Sequence, residues 1–315
     1  MSELIVRPLV AAFALVPPFI FIFYFLSILR VFWKNELVWS GIGVGAGFGL
    51  LAAASSQILE ALVPGTITII EKNLLKAFLQ VAIPEELAKL IAILLVGHTA
   101  LKYEKAPAYL MLGAGVSLGF AALENLFYVI ESPDWGDVNY RRAVSAVPGH
   151  AFTGIIMGWC VYRFRNIRPV DMWLISLVVP ALLHGAYDFP LFMLSADMET
   201  VSSGLSRQGY MWFFVSVVLL EGGIAYICIF NICGRETGPW PGIMFPLRFA
   251  AIWSVVGIGY FLIALWFFFQ SNLLFSQQKP GFSPDYQFTG GFSLFAFLHT
   301  LLFLALAIRY FKSNG

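Results

Sequence analysis

The stretch APAYLMLGAGVSLGFAALENLFYVI, residues 106–130, is apolar over almost its whole length and contains a single charged residue, Glu124. A helix needs about 20 mostly apolar residues to cross the hydrocarbon core of a bilayer, so this stretch predicts a transmembrane helix. Glu124 and Asn125 stand side by side within it, where unpaired polar groups are costly. The stretch therefore predicts a helical membrane protein with a polar site inside its bundle.

The composition of the whole chain points to the same class. Of its 315 residues, 59% are hydrophobic and 12% are charged, whereas soluble domains have about 45–50% and about 25%. So few charges cannot cover a surface that faces water, which excludes a soluble enzyme, a disordered chain and a secreted disulfide scaffold. The net charge of +1 leaves no basic surface for nucleic acid. The lipid bilayer is the expected surrounding.

Apolar runs separated by charges, Gly and Pro predict an all-α, polytopic membrane protein with about nine transmembrane helices. The predicted spans are 9–29, 38–59, 74–97, 106–130, 144–162, 171–195, 209–232, 246–270 and 291–310. Spans three to six carry the unusual polar residues. The expected organisation is an N-terminal two-helix accessory region over 1–70, a four-helix core with the polar motifs over 71–195, and a C-terminal three-helix accessory region over 196–315.

The orientation follows from the loops. Cytoplasmic loops are enriched in Lys and Arg, and the strongest cluster here is Arg163, Arg165 and Arg168. Placing that cluster inside the cell puts the N-terminus outside and the C-terminus in the cytoplasm. We expect a multi-pass protein of the plasma membrane with this topology.

Small residues recur at four-residue spacing in three predicted spans. Such spacing lets helix backbones approach closely in lipid. The positions are Gly41, Gly45 and Gly49 in span two, Gly115 and Gly119 in span four, and Gly154 and Gly158 in span five. This pattern predicts close helix packing and says nothing about chemistry.

Ionisable residues inside spans are the informative ones, because each is costly in hydrocarbon unless it is paired or faces a cavity. Four clusters lie on four consecutive spans: Glu85, Glu86 and Lys89; Glu124 and Asn125; His150; and His184 and Asp188. Glu85 and Lys89 are four residues apart and can form an ion pair on one helical face, which leaves Glu86 with no local partner. The alternating direction of the spans puts all four clusters in one layer, open toward the outer side.

The charge of this layer requires compensation. Four carboxylates against one ammonium give −3 with neutral histidines, which a low-dielectric interior does not tolerate. Either carboxylates hold protons or a divalent cation is bound. Glu and His side chains on facing helices can ligate Zn²⁺, and the candidate ligands are Glu85, Glu124, His150 and His184.

Together these motifs resemble the PrsW family of intramembrane proteases, which is related to the type II CAAX-prenyl endopeptidases. The resemblance covers about 71–195. It rests on Glu-Glu-x-x-Lys at 85–89, Phe-x-x-x-Glu-Asn at 120–125, His150 and His-x-x-x-Asp at 184–188. It implies an endopeptidase that cleaves single-span membrane proteins near the extracytoplasmic face, as in site-1 cleavage of an anti-sigma factor.

The resemblance also implies roles for individual residues. Glu85 becomes the general base and His184 the oxyanion or metal partner. The implied catalytic set is Glu85, Glu86, Lys89, Glu124, Asn125, His184 and Asp188. Where the CAAX relatives have His and Asn, this chain has Glu124 and Asp188, and an ionised Asp188 would repel an oxyanion. A zinc-dependent and a glutamate-only mechanism both stay open.

Two other classes of function fit part of the pattern. A proton- or cation-coupled transporter also uses intramembrane Glu, His and Asp, but it requires a polar path across both halves of the bilayer, and the inner half of spans three to six is aliphatic. A non-catalytic scaffold of the same fold would not need every motif to be present.

Overall fold

The computed structural model describes residues 3–29, 36–60, 67–100, 105–196 and 205–232, and all regular structure in these ranges is helical. The helices are α1 (Glu3–Leu29), α2 (Glu36–Glu60), α3 (Ile69–Leu75), a π-helical segment (Lys76–Ala82), α4 (Ile83–Ala100), α5 (Ala106–Glu131), α6 (Trp135–Val144), α7 (Ala146–Phe164), α8 (Pro169–Ser195) and α9 (Arg207–Ile232). The all-helical expectation is therefore confirmed for this part of the chain.

Six helical stretches in the described ranges are long and apolar enough to cross a membrane, which makes this a multi-pass membrane protein. They are Pro8–Leu29, Glu36–Leu59, Ala106–Glu131, Trp135–Phe164, Pro169–Ser195 and Gly209–Ile232. The predicted third span is helical but is not among the six, since α4 carries three charged residues in its first two turns. The predicted spans 246–270 and 291–310 lie outside the described residues.

The third predicted span is not one uniform α-helix. Between α3 and α4 the chain winds as a π-helix, and the backbone N–H of Ile83 donates to Phe78, five residues back. Pro84 comes directly after this segment, lacks an N–H, and in an α-helix its ring would clash with the carbonyl of Gln80. Wider turns next to a proline relieve that clash, and such turns are frequent at functional sites. Glu85 and Glu86 follow immediately.

The helix α5 lies at the centre of the bundle. It is buried from Ala106 to Ala121 and packs against α1, α2 and α7. The helix α8 packs against α7, α9 and the π-helical segment, and α9 packs against α7 and α8. The bundle thus surrounds α5 and α7, the helices that carry two of the four polar clusters.

Glycines set the closest approaches of these helices, which confirms the packing prediction. A Cβ at Gly45 would overlap the backbone of Val116, and one at Gly119 would overlap the backbone of Ile42. Gly158 meets the backbone of Tyr109 in the same way. These positions leave no room for any side chain.

A short helix that the sequence did not predict lies between the fourth and fifth spans. The helix α6 is ten residues long and has no buried residue. It packs against α5, and Asn139 donates to the backbone oxygen of Phe13 in α1. Its polar residues gave no apolar periodicity, so the segment reads as a loop. It matters because it brings Arg142 to the polar clusters.

Candidate active site

Four helices bring the polar clusters together. The ligand atoms of Glu85, His150 and His184 all lie within 4.8 Å of one another, a group that could hold a metal ion. Glu85 stands in the first turn of α4, His150 in the first turns of α7, and His184 in the second half of α8. Glu124 and Asp188 lie at the edge of this group, each beside one of the two imidazoles.

The ammonium of Lys89 lies inside the cluster and pairs with the second glutamate of the motif. Its Nζ atom is 2.6 Å from Glu86 Oε1 and 3.9 Å from Glu85 Oε2. It also lies 2.9 Å from His150 Nδ1 and 4.6 Å from the ring centroid of Phe120. The expectation that Glu86 lacks a local partner is therefore wrong, because Lys89 turns toward the i−3 carboxylate, where an imidazole also accepts from it.

Glu86 also holds His184. The Nδ1 atom of His184 lies 2.7 Å from Glu86 Oε1, so it donates to the carboxylate. The Nε2 atom on the other side of the ring lies 3.3 Å from Asp188 Oδ2 and 3.8 Å from Glu85 Oε2. An imidazole fixed by a carboxylate at one nitrogen, with the other free for a metal, is the usual arrangement of zinc ligands.

His150 has partners at both ring nitrogens. An ammonium can only donate, so Nδ1 of His150 accepts from Lys89, and the ring proton is on Nε2. That Nε2 lies 2.7 Å from Glu124 Oε2 and donates to it. His150 is thus fixed between α4 and α5, and both of its ring nitrogens are in use, one as acceptor and one as donor.

The opposite end of the cluster is held by Arg142. Its Nη2 atom lies 2.9 Å from Glu124 Oε2, and its Nε donates to Asn125 Oδ1 at 2.9 Å. Its guanidinium covers the ring of Tyr128 at 4.3 Å. The Glu124 side chain is 24% exposed, whereas Glu86 and Lys89 are fully enclosed. The layer therefore has an open end at Glu124 and a closed end at Glu86.

Asn125 points away from the group that surrounds Glu85. Its amide nitrogen donates to the backbone oxygen of Ala14 and to Asn139, and its oxygen accepts from Arg142. The side chain connects α5 with α1 and α6. The other predicted site residues surround Glu85, His150 and His184.

The chemistry of the donor set fits a zinc ion on one condition. Two imidazoles and one carboxylate are a known ligand set of catalytic zinc. Glu85 Oε2 and Asp188 Oδ2 are buried and have no hydrogen-bond partner in the described part of the chain, so both are available beside His184 Nε2. His150 joins the set only when Lys89 leaves its Nδ1. Glu124, also a predicted ligand, is bonded to His150 and Arg142 instead and lies outside the group of three.

Sequence reasoning missed two residues near the site. Arg142 lies between the predicted spans four and five, where the polar sequence predicts a loop and the structure has α6. Glu221 lies in the middle of α9, is 1% exposed and has no hydrogen-bond partner for either oxygen among the residues described. The cost of a carboxylate in an apolar run, the argument that identified Glu124, would also have identified Glu221.

Comparison with known proteins supports a protease family. A family model described as PrsW family intramembrane metalloprotease matches residues 34–220. Protease PrsW of Bacillus subtilis (strain 168) is 42% identical over 105 residues, which cover 32% of this chain and 46% of that protein. Protease PrsW of Oceanobacillus iheyensis is 32% identical over 120 residues, covering 37% of this chain and 54% of that protein.

A third relative extends the range of organisms. Protease PrsW of Clostridioides difficile (strain 630) is 35% identical over 85 residues, covering 25% of this chain and 35% of that protein. The chain spans about half the length of the first curated relatives it matches. No solved structure matches it.

Proposed function

Given that the chain belongs to the PrsW family of intramembrane metalloproteases, we propose that it is a membrane-embedded endopeptidase that hydrolyses single-span membrane proteins. The cleavage takes place near the extracytoplasmic face, as in site-1 cleavage of an anti-sigma factor. The enzyme resides in the plasma membrane with its N-terminus outside and its C-terminus in the cytoplasm.

The observation that carries this proposal is that one carboxylate oxygen of Glu85 has no hydrogen-bond partner in the described part of the chain. Its Oε2 atom has no hydrogen-bond partner among the described residues, and it lies 3.8 Å from His184 Nε2. A general base must have a free lone pair within reach of the water it activates. Glu86, next in sequence, accepts from Lys89 and His184 through Oε1; its Oε2 also has no partner in the described residues, but the whole side chain is enclosed, whereas that of Glu85 is 12% exposed. Of the paired glutamates, Glu85 is thus the one that is free to act.

The chemistry follows from these positions. Glu85 takes a proton from water while the water oxygen bonds to the scissile carbonyl carbon, and it then gives that proton to the amine nitrogen as the C–N bond breaks. Lys89 and Glu86 hold the two histidines in place. In the metal-dependent alternative, Glu85 and His184, joined by His150 once Lys89 leaves its Nδ1, would hold a zinc ion that lowers the pKa of water and polarises the carbonyl. In the glutamate-only mechanism, His184 is the proposed oxyanion partner, a role that requires a proton on its Nε2.

The open end of the layer supports the choice of substrate. Glu124 and Asp188 are partly exposed, with side-chain exposures of 24% and 13%, so an extended peptide can approach from this end. A transmembrane helix must unwind before its peptide bonds can be hydrolysed, and residues near a membrane face unwind most easily. A single-span protein with a cleavable segment close to the membrane surface fits these requirements.

The test compares wild type with Glu85→Gln in proteoliposomes that contain a single-span reporter. We expect the variant to lose at least about a hundredfold in kcat while it stays folded, because an amide cannot accept the proton. Glu71→Gln, on the exposed first turn of α3, is the matched control and keeps wild-type activity. Equal activity of wild type and Glu85→Gln would contradict the proposal.

Two further measurements complete the test. Membrane-protein N-termini from cells that express wild type or Glu85→Gln at equal level identify the natural substrate and the face at which it is cut. A chelator that abolishes cleavage, with recovery on adding zinc, selects the metal-dependent mechanism, and resistance selects the glutamate-only one. A Glu85-dependent ion flux without cleavage would instead identify a transporter.

A further inference from the structure

The ammonium of Lys89 uses the lone pair that His150 would need in order to bind a metal. Its Nζ atom lies 2.9 Å from His150 Nδ1 and can only donate. A neutral imidazole has one acceptor nitrogen, so the ring proton is on Nε2, which faces Glu124 at 2.7 Å. A metal bound through Nδ1 requires that lone pair, and a metal bound through Nε2 requires the ring proton to move onto Nδ1. In either case Lys89 must first leave His150.

The ammonium has a second acceptor beside it. Lys89 Nζ pairs with Glu86 Oε1 at 2.6 Å, whereas Glu86 Oε2 is buried and has no hydrogen-bond partner among the described residues. Both oxygens belong to one carboxylate, so the ammonium can turn toward Oε2 without giving up its ion pair. A buried acceptor without a partner is costly. Moving from His150 to this oxygen therefore replaces the hydrogen bond that Lys89 loses.

Lys89 also supplies the positive charge of the site. Its ammonium is fully enclosed and lies 2.6 Å from Glu86 and 3.9 Å from Glu85. Enclosed carboxylates without a counter-charge are strongly destabilising. A divalent cation held by Glu85, His150 and His184, whose ligand atoms lie within 4.8 Å of one another, would supply positive charge in the same place. Two cations repel, so the ammonium would be displaced toward Glu86.

We propose that Lys89 is a placeholder for the metal, which holds His150 in the metal-free protein and yields it to zinc by turning to the unpaired oxygen of Glu86. This inference rests on the metal-dependent form of the proposed function, but it concerns metal binding and can be tested without proteolysis. Zinc has to break the hydrogen bond between Lys89 and His150 before it gains that ligand. Lys89 therefore stabilises the metal-free site and weakens the binding of zinc.

The experiment measures the dissociation constant of zinc for the full chain in mixed micelles, without substrate. We expect Lys89→Met to bind zinc about tenfold to a hundredfold more tightly than wild type, the worth of a hydrogen bond from a charged donor. Lys72→Met replaces an exposed lysine of α3; it is the matched control and leaves the constant unchanged. Equal constants in wild type and Lys89→Met would make Lys89 a purely structural residue and would overturn the inference.

Repulsion between the ammonium and the metal would also weaken zinc binding, and a second background separates the two causes. His150→Ala removes the acceptor that Lys89 holds. In that background we expect Lys89→Met to tighten zinc binding about tenfold less than it does when His150 is present, a coupling usual for residues in one hydrogen-bond network. Equal tightening in the two backgrounds would leave repulsion as the whole effect and would contradict the role of a placeholder.

X-ray absorption by zinc bound to wild type gives a readout that does not depend on the folding of any variant. We expect two imidazole ligands, because His184 and His150 both join the set once Lys89 has moved. A zinc ion with a single imidazole would show that Lys89 keeps His150 in the loaded protein. That result would overturn the inference.

The remaining outcomes separate this inference from the proposed function. Zinc bound by Lys89→Met but not by wild type would show a lysine that blocks the site without yielding it, and zinc bound by neither would leave no metal to yield to. Both results overturn the inference, and cleavage by a wild type that binds no zinc would leave the proposed function intact. A wild type that binds zinc with two imidazoles but cleaves nothing would contradict the proposed function alone.

Discussion

The helices α5 and α7 run antiparallel beside each other, and their two ends are held together in different ways. At one end Gly113 meets Gly154 backbone to backbone, with no space for a side chain. At the other end Glu124 accepts from His150, so two polar side chains fill the gap between the same helices. At the glycine end the two helices can touch because neither glycine has a side chain. At the polar end their contact requires opposite charges and matched hydrogen-bond donors and acceptors.

This difference explains how a bundle in lipid can position a reactive site. Helices in lipid gain little from burying apolar surface, so close backbone contact supplies their packing energy. The glycine end fixes the distance and angle of α5 and α7. The polar end uses that fixed geometry to hold an imidazole at a defined place. Each end can be broken separately, and the predictions below test whether they are independent.

The largest loss of stability is expected from Lys89→Met, which removes the only lysine that contacts the enclosed Glu86 in the described residues. Removing one partner of a buried ion pair costs about 3–5 kcal/mol, because the other charge is left uncompensated. The free energy of unfolding in mixed micelles measures the loss. Arg168→Met, which breaks the exposed pair with Asp171, is the control, at about 0–1 kcal/mol. Similar losses in the two variants would contradict the assignment of a closed end.

At the glycine end we expect Gly113→Ala to lower the free energy of unfolding by about 1–3 kcal/mol, the usual cost of overpacking. The added Cβ would overlap the backbone oxygen of Gly154. The matched control is Gly43→Ala, where no atom lies within 4 Å of the added carbon, and a gain of up to about 1 kcal/mol is expected there. If Gly113→Ala abolished zinc binding at unchanged stability, the two ends would not be independent.

A smaller effect is expected at the open end. Arg142→Gln removes the ion pair with Glu124 and the hydrogen bond to Asn125, but it leaves the bond between Glu124 and His150. Because the pair is partly exposed, we expect a loss of about 1 kcal/mol in the free energy of unfolding. Arg141→Gln changes the neighbouring residue, which pairs with Asp137 within α6, and serves as the control. A loss as large as that of Lys89→Met would remove the distinction between open and closed ends.

The smallest expected effect lies outside both ends, at the start of α3. Glu71 accepts from the backbone and hydroxyl of Thr68, which holds its pKa below the usual 4.5. A lowered pKa means that this contact contributes stability above the ordinary pKa and loses it as the pH falls through the lowered value. Thr68→Ala removes the hydroxyl and keeps the backbone N–H, the larger of the two causes, so the pKa of Glu71 should rise only part of the way toward 4.5, as measured by NMR titration. An unchanged pKa would show that the capping contact does not form in solution.

The sequence predicted the features that depend on local pattern. The helices follow from long apolar runs, the close packing from glycines at four-residue spacing, and the polar clusters from the cost of Glu85, Glu124, His150 and His184 in hydrocarbon. Each of these signals lies within a single helix. The sequence therefore predicted which side chains are unusual without defining the contacts that each one makes.

The contacts themselves depend on geometry between helices. The choice of Lys89 between Glu85 and Glu86 is decided by His150, which approaches from another helix. The role of Arg142 requires α6, whose polar residues have no apolar periodicity. Glu221 is a different case. The free-energy cost of a carboxylate in an apolar run applies to it as it does to Glu124, but Glu221 lies far along the sequence from the four polar motifs.

The π-helical segment Lys76–Ala82 has a consequence for changes in chain length. Each residue of an α-helix turns the chain by about 100°, so the number of residues between α3 and Glu85 sets the direction in which that carboxylate points. A π-turn closes over five residues instead of four, so deleting one residue from the segment rewinds it to an α-helix and leaves the direction of Glu85 and Glu86 almost unchanged. The segment is thus a reserve of one residue, which keeps Glu85 and Glu86 in position when the chain before them shortens by one.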